Sequence, residues 1–133
     1  MAETRLATGS FEVQMTPQGS PEGAEGHQLG LLLLNKRFSG DLAGTGSGRM
    51  LTALTATPGS AGYVAIERFS GTLHGRSGSF VFQHSGSMSA GAQQLSITVV
   101  PDSGTGELSG LRGAFKIQIE AGVHRYSFDY TLP

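Results

Sequence analysis

The sequence predicts an all-β fold, a closed antiparallel barrel of about eight strands with little helix. Apolar and polar residues alternate with a period of two through most of the chain, which is the repeat of strands that bury one face. The 21 glycines, about twice the ordinary share, interrupt that alternation at intervals instead of forming a tract. No stretch of about 12 residues carries a 3.6-residue apolar period free of glycine, so no segment reads as a helix. With 133 residues, 38% of them hydrophobic, the chain is long enough for one barrel domain spanning 1–133 and too apolar for a flexible low-complexity chain.

The first strand is Gly9 to Thr16, where Phe11, Val13 and Met15 alternate with Glu12, Gln14 and Thr16. Residues 17–26 carry Pro17, Pro21, three glycines, Glu22 and Glu25 among few apolar groups, and read as an exposed loop. His27 to Phe38 is apolar at successive positions through Leu31, Leu32, Leu33 and Leu34, so it is a strand covered on both faces or a short buried helix; its neighbours favour the strand. Further strands are expected at Met50–Thr57, Tyr63–Phe69, Ser79–Met88, Gln93–Val100, Phe115–Glu120 and Val123–Leu132. Thr57-Pro58-Gly59-Ser60, Pro101-Asp102-Ser103-Gly104 and Ala121-Gly122 supply turn chemistry between them.

One motif recurs. Gly40-Asp41-Leu42-Ala43-Gly44, Gly71-Thr72-Leu73-His74-Gly75 and Gly106-Glu107-Leu108-Ser109-Gly110 all read Gly-x-Leu-x-Gly. On a strand the two glycines and the leucine share a face that is bare except for one aliphatic contact, which allows close backbone approach or a sharp bend. Repeated bends coil a sheet closed and remove its exposed edges. Gly44-x-Gly46-x-Gly48-Arg49 and Gly104-x-Gly106 lack both the lysine and the following helix of a phosphate loop, and are read as turn and bend glycines.

Charge and composition exclude several classes. Nine basic residues against ten acidic ones, with a pI near 6.4, imply no nucleic-acid partner. The absence of cysteine excludes disulfides, zinc–thiolate sites and thiol nucleophiles. The start of the chain has no secretory pattern and no apolar run approaches the roughly 20 residues of a membrane helix, so a cytoplasmic protein with no membrane partner is expected. Gly-x-Ser-x-Gly is missing, which discounts an α/β-hydrolase serine. His74, His84 and His124 with Glu67 show no metal-ligand spacing, so no metal and no cofactor is expected. Arg76, between Gly75 and Ser77, is read as a surface or turn residue.

Phe38-Ser39-Gly40-Asp41-Leu42, Met50-Leu51, the segment Gly59 to Glu67, the segment Gly71 to Phe80, Gln83-His84 and Gly104-Thr105-Gly106-Glu107-Leu108 together resemble the bacterial domain-of-unknown-function family number 3224. The resemblance runs from about residue 9 to residue 133. It implies a barrel similar to plant allene oxide cyclase and the dirigent proteins, commonly self-associated, with no settled activity. Cyclase chemistry is only a fold analogy here, because the catalytic residues do not match one by one.

An eight-stranded barrel is just wide enough to be filled by side chains or to hold one small ligand. In the last strand His124, Tyr126, Phe128, Tyr130 and Leu132 share the face expected to point inward; Phe80, Phe82, His84 and Met88 form a similar face. In the Tyr63–Phe69 segment both sides are partly apolar. If Val64 and Ile66 face in, Glu67 is an ordinary solvated carboxylate. If Tyr63 and Phe69 face in, Glu67 enters the lumen and the aliphatic pair needs cover from a partner subunit. The family resemblance favours Glu67 inside.

A carboxyl in an apolar lumen should hold its proton more tightly than usual. Three functions follow from these readings. The first is a barrel that binds an apolar or aromatic small molecule, with Tyr63, Phe82, His124, Tyr126, Phe128 and Tyr130 as the ligand-binding set. The second is a cofactor-independent isomerase or cyclase using Glu67 and His84 as acid and base. The third is a structural homo-oligomer whose barrel is filled by its own side chains, with His84 and the tyrosine hydroxyls satisfied inside the core.

Overall fold

In the computed structural model, which describes residues 3–133, nine strands follow one another: β1 (Arg5–Pro17), β2 (Glu22–Ala24), β3 (His27–Gly40), β4 (Leu42–Thr55), β5 (Ala61–Leu73), β6 (Arg76–Ser89), β7 (Ala92–Val99), β8 (Arg112–Glu120) and β9 (Val123–Thr131). The sole helical piece among the described residues is a three-residue 3-10 turn at Gly106–Leu108. Every pairing is antiparallel, and β1 bonds to β9 on one side and β3 on the other, so eight strands close into a barrel. Strand β2 falls outside the ring. It forms a short flap on β3 within the segment read as a loop, and all of residues 14–29 are exposed. The thinnest seam joins β7 to β8 through one register pair, Thr98 and Ala114.

The alternation read from the sequence selects the inward faces. Odd positions point inward on β1, β5 and β7, and even positions on β3, β4, β6 and β9, as the burial of Phe11, Phe69, Ile97, Phe38, Leu42, Phe82 and Phe128 shows. The two-faced β5 resolves in favour of Tyr63, Ala65, Glu67 and Phe69 inside, leaving Val64 and Ile66 more than half exposed on the outer wall.

One end of the barrel is plugged. Phe11, Phe38, Phe69, Phe80, Phe82, Phe115, Tyr126, Phe128 and Tyr130 pack with ring centroids 4.8–6.4 Å apart. The leucines of the three Gly-x-Leu-x-Gly copies, Leu42, Leu73 and Leu108, seal that end and are completely buried. All six motif glycines have positive φ, so each copy turns its leucine inward through backbone that a side chain would strain. Gly46 and Gly48 correct the reading as turn glycines. They lie inside β4, which begins at Leu42, eight residues before the expected start at Met50. A Cβ on Gly46 would overlap the Glu67 carboxylate, and one on Gly48 would overlap the Ile66 carbonyl. Their bareness makes room for a polar side chain from the next strand.

Candidate functional site

Above the aromatic plug, where strand pairing continues to demand inward residues, three of them are polar. Lys36 on β3, Glu67 on β5 and His84 on β6 are all buried, and Glu67 is fully so. Lys36 Nζ donates to Glu67 Oε1 at 3.1 Å, and His84 Nε2 meets the same oxygen at 2.9 Å. The ammonium also lies over the Phe11 and Phe38 rings, 5.0 and 6.0 Å from their centroids, which offsets part of its lost hydration. Glu67 Oε2 is buried with no hydrogen-bond partner. It is turned toward Gly46 and the Phe38 ring, on the plug side of the site.

The direction of the carboxyl's titration reverses the sequence expectation. Burial pushes the Glu67 pKa up, but the His84 hydrogen bond, the Lys36 ammonium and the charge that His84 carries only when protonated pull it down further, and the result is below the usual 4.5. Glu67 is therefore ionised at neutral pH. The expectation failed because it placed the glutamate among apolar groups without an ammonium beside it.

The other half of the lumen is open. A cavity of about 370 Å³ is walled by Met15, Met50, Leu54, Tyr63, Met88 and Leu95, with Thr52, Ala61, Gly86 and Gln93 among the remaining lining. Every methionine among the described residues, Met15, Met50 and Met88, is on this wall. Their unbranched, polarisable side chains give a surface that can adapt its shape. Met15, Leu54 and Leu95 are about half exposed, at 51%, 53% and 47%, although they face inward. Strand register relates this wall to the ionic trio. Met15 shares a row with Glu67 through Leu34 and Gly48, and Met50 shares one with His84 through Ala65. By register the buried ionic trio adjoins this wall, without lining the cavity itself.

The residues singled out in the sequence divide between the two halves. Glu67 and His84 come together in the buried ionic trio, and Tyr63 stands on the cavity wall, its phenol pushed above 10.0 by burial. Phe82, Tyr126, Phe128 and Tyr130 belong to the plug, away from the cavity. The Tyr126 hydroxyl accepts from Leu42 N at 2.9 Å and lies 2.9 and 3.0 Å from the Ser39 and Leu42 carbonyl oxygens. The Tyr130 hydroxyl bonds to His74 Nδ1. His124 is half-buried against Phe11, ring centroids 5.1 Å apart. Arg76 opens β6 at the turn from β5.

Lys36 escaped the sequence reading, and Met15 and Met88, though read on apolar faces, were not singled out as a ligand wall; for Lys36 a signal was present. Leu34, Lys36 and Phe38 alternate on one face, and a lysine between a buried leucine and a buried phenylalanine is the counterpart of Glu67 between Ala65 and Phe69. The continuous leucine run hid that parity.

Comparison with known proteins places this arrangement in a family. The sequence profile of the family described as "Protein of unknown function (DUF3224)" matches residues 7–130. The chain is similar to a protein of unknown function from the DUF3224 family of Shewanella oneidensis MR-1, whose crystal structure is known at 1.84 Å resolution. The two share 48% sequence identity over 98% of this chain and 99% of that one, with a TM-score of 0.94. Among curated proteins, none matches.

Proposed function

The chain belongs to the DUF3224 family, whose description assigns no activity, and we propose from its own residues that it binds an apolar or aromatic small molecule in the open half of the barrel. The carrying observation is a wall of inward-facing Met15, Leu54 and Leu95 that the fold leaves half exposed beside a buried ionic trio. Inward apolar groups that the protein does not cover are stabilised by a ligand that does. Acid catalysis by Glu67 is the weaker reading, since a carboxyl tied to Lys36 and His84 is ionised and has no proton to give. Titration with the neutral dye N-phenyl-1-naphthylamine tests the binding reading. Saturable binding, weakened at least tenfold in Ala61→Trp, which fills the mouth, supports it; no binding, or binding indifferent to that substitution, refutes it.

The outer wall supports a second proposal, association with another copy of this chain. Leu31, Leu51 and Val64 align across β3, β4 and β5, with Leu33 and Ile66 in the next row, around a shallow concavity of about 620 Å³. Arg49 and Arg68 bound one end of this patch, without ion-pair partners among the described residues, and Glu22, paired beside Leu29, lies at the other. A two-fold axis across the strands stacks the apolar rows and sets the acidic end of one copy over the basic end of its mate.

A further inference from the structure

We infer that the molecule held in this lumen is an acid, bound with its anionic head on Lys36 and His84 and its apolar body among the methionines; the inference rests on the binding reading above. The free valences of the ionic trio, which adjoins the methionine wall through the Met50–Ala65–His84 row, carry it. Glu67 Oε1 is already occupied by both neighbours, and Oε2 faces Gly46 and Phe38 on the plug side. The carboxylate therefore offers a ligand nothing. Lys36 has three N–H donors and uses one on Glu67. His84 uses Nε2, and its Nδ1 has no partner among the described residues. What remains for a ligand is an ammonium and an imidazole nitrogen, the chemistry that receives a carboxylate, sulfonate or phenolate.

Charge balance then sets a condition. Lys36 and Glu67 cancel, so an anion arriving beside them leaves one uncompensated negative charge in a buried place. An imidazole can take up the proton that balances it. The charged or ionisable groups facing His84 are Glu67 and Tyr63 from β5 and Lys36 from β3; β4 and β7 present Met50 and Ile97, and His124 of β9 lies against Phe11. Among the described residues no other cation faces His84. The complex should form with uptake of about one proton, and affinity should fall about tenfold per pH unit where that uptake is complete.

Two matched dyes separate this inference from the binding reading. N-phenyl-1-naphthylamine is neutral, and 1-anilinonaphthalene-8-sulfonate has the same rings with a permanent negative charge. Calorimetric titrations of the full chain in two buffers of different ionisation enthalpy should show the sulfonate displacing the neutral dye, taking up about one proton, and weakening as pH rises, while the neutral dye takes up none. His84→Gln should abolish the uptake and weaken the sulfonate at least tenfold, leaving the neutral dye bound. If the neutral dye binds but the sulfonate fails to displace it, or displaces it without proton uptake, the acid assignment is wrong and the binding reading stands. If neither dye binds, both fall. Should His84→Gln fail to fold, the two-buffer result on the unaltered chain decides alone.

Discussion

Lys36 and Glu67 depend on each other more than either depends on any ligand. Both charges have left water, and each is tolerable only because the other is 3.1 Å away. Lys36→Met should cost about 3–5 kcal/mol in urea denaturation, the usual consequence of leaving a buried charge alone. Adding Glu67→Gln to it should recover part of that loss. A cost below about 1 kcal/mol, the scale of exposed pairs, would mean that the pair is hydrated. Acid offers a second test. The folded Glu67 pKa lies below its ordinary 4.5, so ionised Glu67 contributes stability that is complete above that value. The contribution is lost as pH falls through the lowered folded pKa. Glu67→Gln should be less stable at pH 7 and lose stability less steeply below pH 4.5. Glu67 and His84 were legible in the sequence because each interrupts an apolar alternation. Lys36 was obscured because four adjacent leucines gave no indication of which parity faced in.

Strands, turns and the recurring glycine motif belong to the next scale. The eight ring strands appear where alternation placed them, and the differences concern their ends. Strand β4 extends through Gly44, Gly46 and Gly48 because glycine's lack of a side chain erases the pattern that marks a strand without preventing its hydrogen bonds. The motif itself was legible as a device for bending, while the shared fate of its leucines as the seal of one barrel end depends on closure and could be seen only in three dimensions. Gly44 and Gly71 face each other across β4 and β5, and a Cβ on either would overlap the other strand's backbone carbonyl. Gly71→Ala should therefore destabilise by about 1–3 kcal/mol or more, as overpacking against backbone does, measured by the shift in urea midpoint. A neutral result would show that the two strands can separate locally without cost.

For the molecule as a whole, a barrel could be inferred from sequence, but a barrel with one half filled and one half open could not. Which inward residues meet at a given depth is set by tilt and stagger of the strands, and these are properties of the closed sheet, not of any one segment. Of the aromatic residues expected around a ligand, Phe82, Tyr126, Phe128 and Tyr130 consequently fill the plug, while Tyr63 joins the methionines and leucines on the wall. The outer patch follows from the same geometry: once Tyr63 and Glu67 turn in, Val64 and Ile66 must turn out. Light scattering should find a dimer or larger assembly that Val64→Lys reduces to monomers; a monomer at all concentrations would remove the second-copy proposal. The most direct test of the central claim uses the methionines. With ¹³C-methyl methionine, addition of N-phenyl-1-naphthylamine should shift the Met15, Met50 and Met88 signals together, because all three wall the cavity. Binding of the dye with those three signals unmoved would show that the lumen is not where this protein holds small molecules.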